Sequence, residues 1–178
     1  MPKPDFTADY FSLFGLPRQQ AIDSVVLESC FREIQTRVHP DRYVQGSDGD
    51  RRLAMQWATQ ANESFRILKS PLSRAAYLLS LLGNDPQVES NTAMPVDFLM
   101  EQMELRESVE CAASQQNEAR LDELRGDLLR LIRIEHLELI DLIDSKKSYS
   151  EAAQRVRQLM FQEKLLLEID EALELISA

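Results

Sequence analysis

Apolar residues recur at three- and four-residue intervals from one end of the chain to the other, and no apolar–polar alternation is bounded by turn dipeptides. The expected fold is therefore all-α. A short helix is predicted from Asp9 through Tyr10, Phe11, Leu13 and Phe14, ending at Gly15-Leu16-Pro17. The next begins with Asp23 or Ser24 as N-cap and turns Leu27, Cys30, Phe31, Ile34 and Val38 to one buried side. It ends at Pro40, because proline disfavours helical geometry in His39 before it. Residues 39–50 form a polar loop carrying Gly46 and Gly49. A third helix starts near Arg51, places Leu53, Trp57, Ala61, Phe65 and Leu68 on one side, and runs to Ser70-Pro71. Residues 72–82 read as a fourth helix closed by Gly83, so two antiparallel helices joined by a loop dominate the front half.

Residues 84–94 are polar and linker-like, and three long helical patterns follow at 95–114, 117–145 and 149–176. The middle one repeats Leu121, Leu124, Leu128, Leu131, Ile132, Leu139 and Ile143. The last repeats Ala153, Val156, Met160, Leu167 and Leu173, as a three-helix bundle requires. Gly126, within the middle helix, costs about 1 kcal/mol relative to alanine, which marks a bend or a close helix contact. The expected organisation is one domain over 1–83, a linker over 84–94 and a helical domain over 95–178.

Charge separates the two halves. The chain holds 20 Lys/Arg and 30 Asp/Glu; residues 1–83 carry 10 and 9 of them, a net of +1, which leaves 10 and 21, a net of −11, for the remainder. Such an acidic tail repels phosphate backbones and anionic lipid heads, so neither nucleic acid nor a membrane surface suits it as a partner. Cys30 and Cys111 stand far apart without a Cys-x-x-Cys pairing, and the expectation is two buried thiols in a reducing compartment. The first residues lack the apolar core of a secretion signal and the longest apolar stretch, 75–82, is too short to span a bilayer, so a cytoplasmic location is expected.

The tripeptide His39-Pro40-Asp41 draws its meaning from its surroundings. Upstream lies Asp9-Tyr10-Phe11-Ser12-Leu13-Phe14-Gly15-Leu16. Downstream lies Ala61-Asn62-Glu63-Ser64-Phe65-Arg66-Ile67-Leu68-Lys69-Ser70-Pro71-Leu72-Ser73-Arg74-Ala75, and the tripeptide falls between two amphipathic helices. Over residues 5–75 this ordered set resembles the J-domain of DnaJ-like proteins. The resemblance implies that His39, Pro40 and Asp41 dock on a DnaK-type ATPase and promote its ATP hydrolysis, with Arg32, Arg37 and Arg42 as basic contacts; Glu33 dilutes that positive face. A proline turn between two packed helices can hold an imidazole and a carboxylate in a fixed arrangement, and a fixed arrangement can bias a partner's conformational equilibrium without doing chemistry.

The helix from Pro95 carries more apolar residues than one buried side can use. At about 100° per residue, Leu105, Val109 and Ala112 fall within roughly 40° of Phe98, while Leu99, Met100, Met103, Glu104 and Glu107 centre nearly opposite. Such an arc either packs on the front helices or receives a partner, and a contiguous exposed patch with adaptable methionines favours the partner. Phe161, well away from the stripe through Val156, Met160 and Leu167, extends the same patch. Together with Pro71-Leu72-Ser73-Arg74-Ala75-Ala76-Tyr77-Leu78-Leu79, the segment Phe98-Leu99-Met100-Glu101-Gln102-Met103-Glu104-Leu105-Arg106-Glu107 resembles the HscB family of co-chaperones, which serves bacterial iron–sulfur cluster assembly. This resemblance implies that the front half recruits HscA, the dedicated ATPase. It also implies that Leu99, Met100, Met103, Glu104, Glu107 and Phe161 bind the scaffold protein IscU. Met103 stands where that family usually has leucine, a change that conserves volume and hydrophobicity.

Two other classes fit less well. A general DnaJ-type co-chaperone for unfolded clients would carry a Gly/Phe-rich linker and often repeated Cys-x-x-Cys motifs, and neither is in the sequence. An enzyme using His39 and Asp41 as an acid–base pair would have to work with two histidines in all and no Gly-rich phosphate loop. His136 reads as a surface or half-buried residue. Two distant cysteines do not make a closed thiolate site, so no metal or other cofactor is expected.

Overall fold

A computed structural model describes residues 8–38, 47–86 and 94–177. Every regular element among these is helical. The chain divides into two compact units, Met1–Leu78 and Leu79–Ala178.

The first unit holds α1 (Tyr10–Leu13), α2 (Ser24–Val38), α3 (Asp48–Lys69) and most of α4 (Pro71–Leu81). Helix α1, a single turn, depends on its cap: the Asp9 carboxylate accepts hydrogen bonds from the backbone N–H groups of Phe11 (3.0 Å) and Ser12 (3.1 Å). Asp23 caps α2 in the same way, accepting from Val25 and Val26. Helix α3 begins three residues before Arg51, because Ser47 and Asp50 form a reciprocal capping box that draws Gly49 into the helix. Helix α4 likewise opens on Pro71, whose missing N–H is no loss in a first turn.

Helices α2 and α3 pack on each other as a hairpin joined through residues 39–47. Leu27, Ile34 and Val38 meet a side of α3 lined by Ala54, Trp57, Ala61 and Leu68, all buried. Phe31 and Phe65 stack at 4.0 Å between ring centroids, and Tyr10 stacks on Tyr77 at 4.3 Å while its N–H donates to the Tyr77 hydroxyl. The α3–α4 corner is held by buried polar groups. Arg74 donates to the Leu68 carbonyl at 2.6 Å, and Gln20 donates to that of Pro71 at 2.8 Å.

In the second unit α4 ends in a Schellman motif. Gly83, at φ +75°, lets Asn84 N–H reach the Leu79 carbonyl and its own N–H reach that of Ser80. Three long helices then form the bundle: α5 (Val96–Ser114), α6 (Glu118–Ile140), which runs into a π-helical turn (Asp141–Ser145), and α7 (Tyr149–Ser177). All three pack on one another. Phe98, Val109 and Ala112 of α5 and Leu121, Leu124, Leu128, Ile132 and Leu139 of α6 are buried, as are Ala152, Val156, Leu159, Leu165 and Ile169 of α7.

Several core assignments from the periodicity need correction. Met160 and Leu167 of α7 are exposed, Leu173 is half-buried, and Leu159, Leu165 and Ile169 occupy the core instead. At 100° per residue the buried side of α7 swings round the helix by more than a quarter turn between its two halves, so a straight stripe drawn from Ala153 and Val156 leaves the core. Leu131 lies at the edge of the α6 stripe and is also exposed. A Cβ on Gly126 would meet only the guanidinium of Arg130, at 3.6 Å, so that glycine serves no close helix contact. Both cysteines are free, but Cys30 is half-buried and Cys111 exposed, not two buried thiols.

Candidate interaction surfaces

The sequence points to one surface in each unit. In the first, Arg32 and Arg37 are exposed on α2, off the side defined by Leu27, Ile34 and Val38. They do not share one stripe, since five residues separate them by about 140° around the helix. Arg37 lies 3.6 Å from Glu33 in an exposed ion pair. His39, Pro40, Asp41 and Arg42 lie outside the described residues.

Elsewhere in the first unit, Asp9 organises charge. Burial alone would raise its pKa, but hydrogen bonds from the Ser12 hydroxyl, the Arg18 side chain and the Ser12 N–H, with the Arg18 charge, outweigh that and hold it at about 2. The Arg18 guanidinium meets the carboxylate at 2.7 Å, fixing the chain just after α1.

In the second unit Phe98 points into the bundle, and Leu99, Met100 and Met103 are 38, 56 and 63 % exposed. Glu104 and Glu107, on the same outward arc, are exposed too, and with Ser108, Cys111 and Arg120 they border an open groove of about 560 Å³. Phe161 reaches this region from α7. Its ring sits edge-on to Phe98, 6.3 Å between centroids, and remains 36 % exposed. The α5–α7 register is held by Arg106, both of whose contacts to Glu168 measure 3.2 Å. The six residues predicted for this surface thus lie on two packed helices, five on α5 and one on α7. Val96, outside the residues predicted for the patch, is exposed as well.

His136 is half-buried and its Nε2 lies 3.1 Å from the Glu163 carboxylate. Among the described residues no group of three or more His, Cys, Asp or Glu side chains is placed to hold a metal ion. No described helix is long and apolar enough to cross a membrane.

One unit thus presents a helical hairpin and the other an acidic bundle with an uncovered apolar patch. Residues 94–174 match the family model described as the HSCB C-terminal oligomerisation domain. A protein of Azoarcus sp. (strain BH72) named a co-chaperone protein HscB homolog is 49% identical over 170 residues, covering 96% of each chain. One of Burkholderia multivorans with the same name is 48% identical over 165 residues, covering 93% of this chain and 94% of its own. Among solved structures, the chaperone HscB from Vibrio cholerae superposes with a TM-score of 0.83 at 36% identity, covering 95% of this chain and 99% of that one. The human co-chaperone HscB gives a TM-score of 0.87 at 27% identity, over 94% and 83%. The chain belongs to the HscB family, the co-chaperones of iron–sulfur cluster assembly.

Proposed function

We propose that this chain stimulates the ATPase of a dedicated DnaK-type chaperone, HscA, and delivers the iron–sulfur scaffold protein IscU to it. Residues 1–83 act as the J-domain, with His39, Pro40 and Asp41 as the docking tip and Arg32, Arg37 and Arg42 as its basic surroundings. Residues 95–178 hold the scaffold through Leu99, Met100, Met103, Glu104, Glu107 and Phe161. The observation that carries the reading is the outward arc of α5, where three neighbouring apolar side chains stay uncovered beside two carboxylates. Such a set suits a partner offering an apolar contact rimmed by positive charge. The net −11 of residues 84–178 strengthens attraction to such a partner at a distance.

On this reading the co-chaperone performs no bond chemistry. It brings scaffold and ATPase together, so the second docking event proceeds at the high effective concentration of a tethered partner. The test is steady-state ATP turnover by HscA with and without the chain, in the presence and absence of IscU. Stimulation is expected, and His39→Gln should abolish it while helicity is retained. Equal turnover with the unmodified chain and the variant would refute the J-domain assignment.

A further inference from the structure

We propose that the buried pair Glu135–Gln162 is a positioning clamp, which fixes the rotation of α7 about its own axis and so holds Phe161 in the α5 patch. The proposal rests on the reading of that patch as the scaffold-binding surface, and it adds two residues that act through Phe161 without touching a partner. Gln162 directly follows Phe161 in the chain and is 2 % exposed; Glu135 on α6 is 7 % exposed. The Gln162 amide donates to Glu135 Oε1 at 3.1 Å, and the Arg155 guanidinium lies 3.4 Å from the same oxygen. One residue further along both helices, His136 Nε2 lies 3.1 Å from the Glu163 carboxylate.

Hydrophobic burial alone does not decide how α7 is turned. Leu165, Leu166 and Leu167 are consecutive and span about 200° of the helix. Leu165 is buried, Leu166 half-buried and Leu167 exposed. A helix turned by one residue, about 100°, would bury a different leucine of the same size. At a side-chain radius of about 5 Å that turn carries the Phe161 ring about 8 Å. Its edge-on contact with Phe98, now 6.3 Å between centroids, would be lost. A polar side chain in the core separates the two arrangements, because only one of them brings it to its partner.

The other polar contacts to α7 discriminate less. Arg106–Glu168 and Arg125–Asp170 have side chains 37–45 % exposed, and exposed ion pairs contribute little and exchange readily. The clamp itself is a poor stabiliser, since Glu135 Oε2 and Gln162 Oε1 are buried with no hydrogen-bond partner among the described residues. A pair of this kind contributes more to choosing one arrangement than to stability.

Calorimetric titration with IscU, alongside circular dichroism, tests the clamp. Phe161→Ala should weaken binding roughly tenfold. Glu135→Leu combined with Gln162→Leu should keep helicity and yet weaken binding by roughly fivefold or more, and adding Phe161→Ala should weaken it no further than Phe161→Ala does alone. Gln162→Met, which removes the donor at nearly the same side-chain length, should lose affinity likewise. Glu135→Gln keeps an acceptor for the Gln162 amide and should bind within about twofold of the unmodified chain. A double-leucine or Gln162→Met variant that binds as tightly as the unmodified chain overturns the proposal. So do losses that multiply in the triple variant, or a loss in Glu135→Gln equal to that of the double variant. Undiminished binding by Phe161→Ala and Met103→Ala would overturn the patch reading and the clamp with it, whereas losses there and none in the clamp variants overturn the clamp alone.

Discussion

Met103 offers the sharpest test of the α5 patch, because it contributes almost nothing to the folded monomer and, in the proposed complex, a good deal to binding. Its side chain is 63 % exposed. Full burial of a methionine is worth about 1.5–3 kcal/mol, so covering the exposed share adds about 1–2 kcal/mol, a factor of roughly 5–30 in Kd. Met103→Ala should weaken scaffold binding toward the lower end of that range, since alanine keeps Cβ. Its unfolding free energy should stay within about 0.5 kcal/mol of the unmodified chain, as for most surface changes. Calorimetric titration of IscU measures the first, denaturant unfolding the second, and direct stimulation of HscA should be unaffected. Leu167→Ala supplies the control for general hydrophobicity. Leu167 is 62 % exposed, almost as much as Met103, but lies about 120° around α7 from Phe161, so its loss should leave affinity unchanged. Unaltered affinity in Met103→Ala, or an equal loss in Leu167→Ala, would refute the assignment of this patch.

Gly126→Ala should stabilise the bundle by about 1 kcal/mol, because the added methyl meets only the mobile end of Arg130; a lower urea midpoint would show a contact the helix needs. Asp9 has a folded pKa of about 2 against an ordinary 3.8, so folding favours its charged form, and its stabilising contribution is complete above that ordinary value and lost as pH falls toward 2. Asp9→Asn keeps a capping side chain without the charge and should flatten the acid limb of melting temperature against pH; superimposable acid limbs would refute the linkage. Gln162 and Glu135 are buried and hydrogen-bonded at 3.1 Å, so Gln162→Leu alone should cost about 1–3 kcal/mol by removing a donor from a buried carboxylate. Replacing both by leucine should recover much of that loss, and strictly additive costs in a double-mutant cycle would count against the pairing.

The front hairpin was legible because its local signals agree. Asp9 and Asp23 are caps with unambiguous chemistry, and α2 shows a single apolar stripe. Where two signals competed, the boundary slipped. Gly49 argues for loop, yet the Ser47–Asp50 capping box overrides it, because two reciprocal hydrogen bonds outweigh one glycine's entropic cost of about 1 kcal/mol. In α7 the miss has a different origin. Gln162 occupies a core position and donates to Glu135 across the helix pair, so the apolar pattern breaks where the buried side turns. Nothing in a single helix's periodicity announces a polar residue whose partner lies 27 positions away.

The same reasoning explains which surfaces showed in the sequence. In α5 apolar residues occupy nearly the whole circumference, with Phe98, Val109 and Ala112 sufficient for the core, so the surplus at Leu99, Met100 and Met103 is visible by counting faces. Helix α6 carries a comparable surplus in Ile134 and Leu137, but these are interleaved with Arg133, Glu135 and His136, so no second apolar stripe stands out. Only the structure separates them, by burying Ile132 and leaving Ile134 and Leu137 uncovered. Outward apolar residues scattered among charged neighbours therefore escape a reading of the sequence. A lone extra stripe on an otherwise amphipathic helix does not, and this is why the sequence declared one of the two apolar surfaces and kept the other.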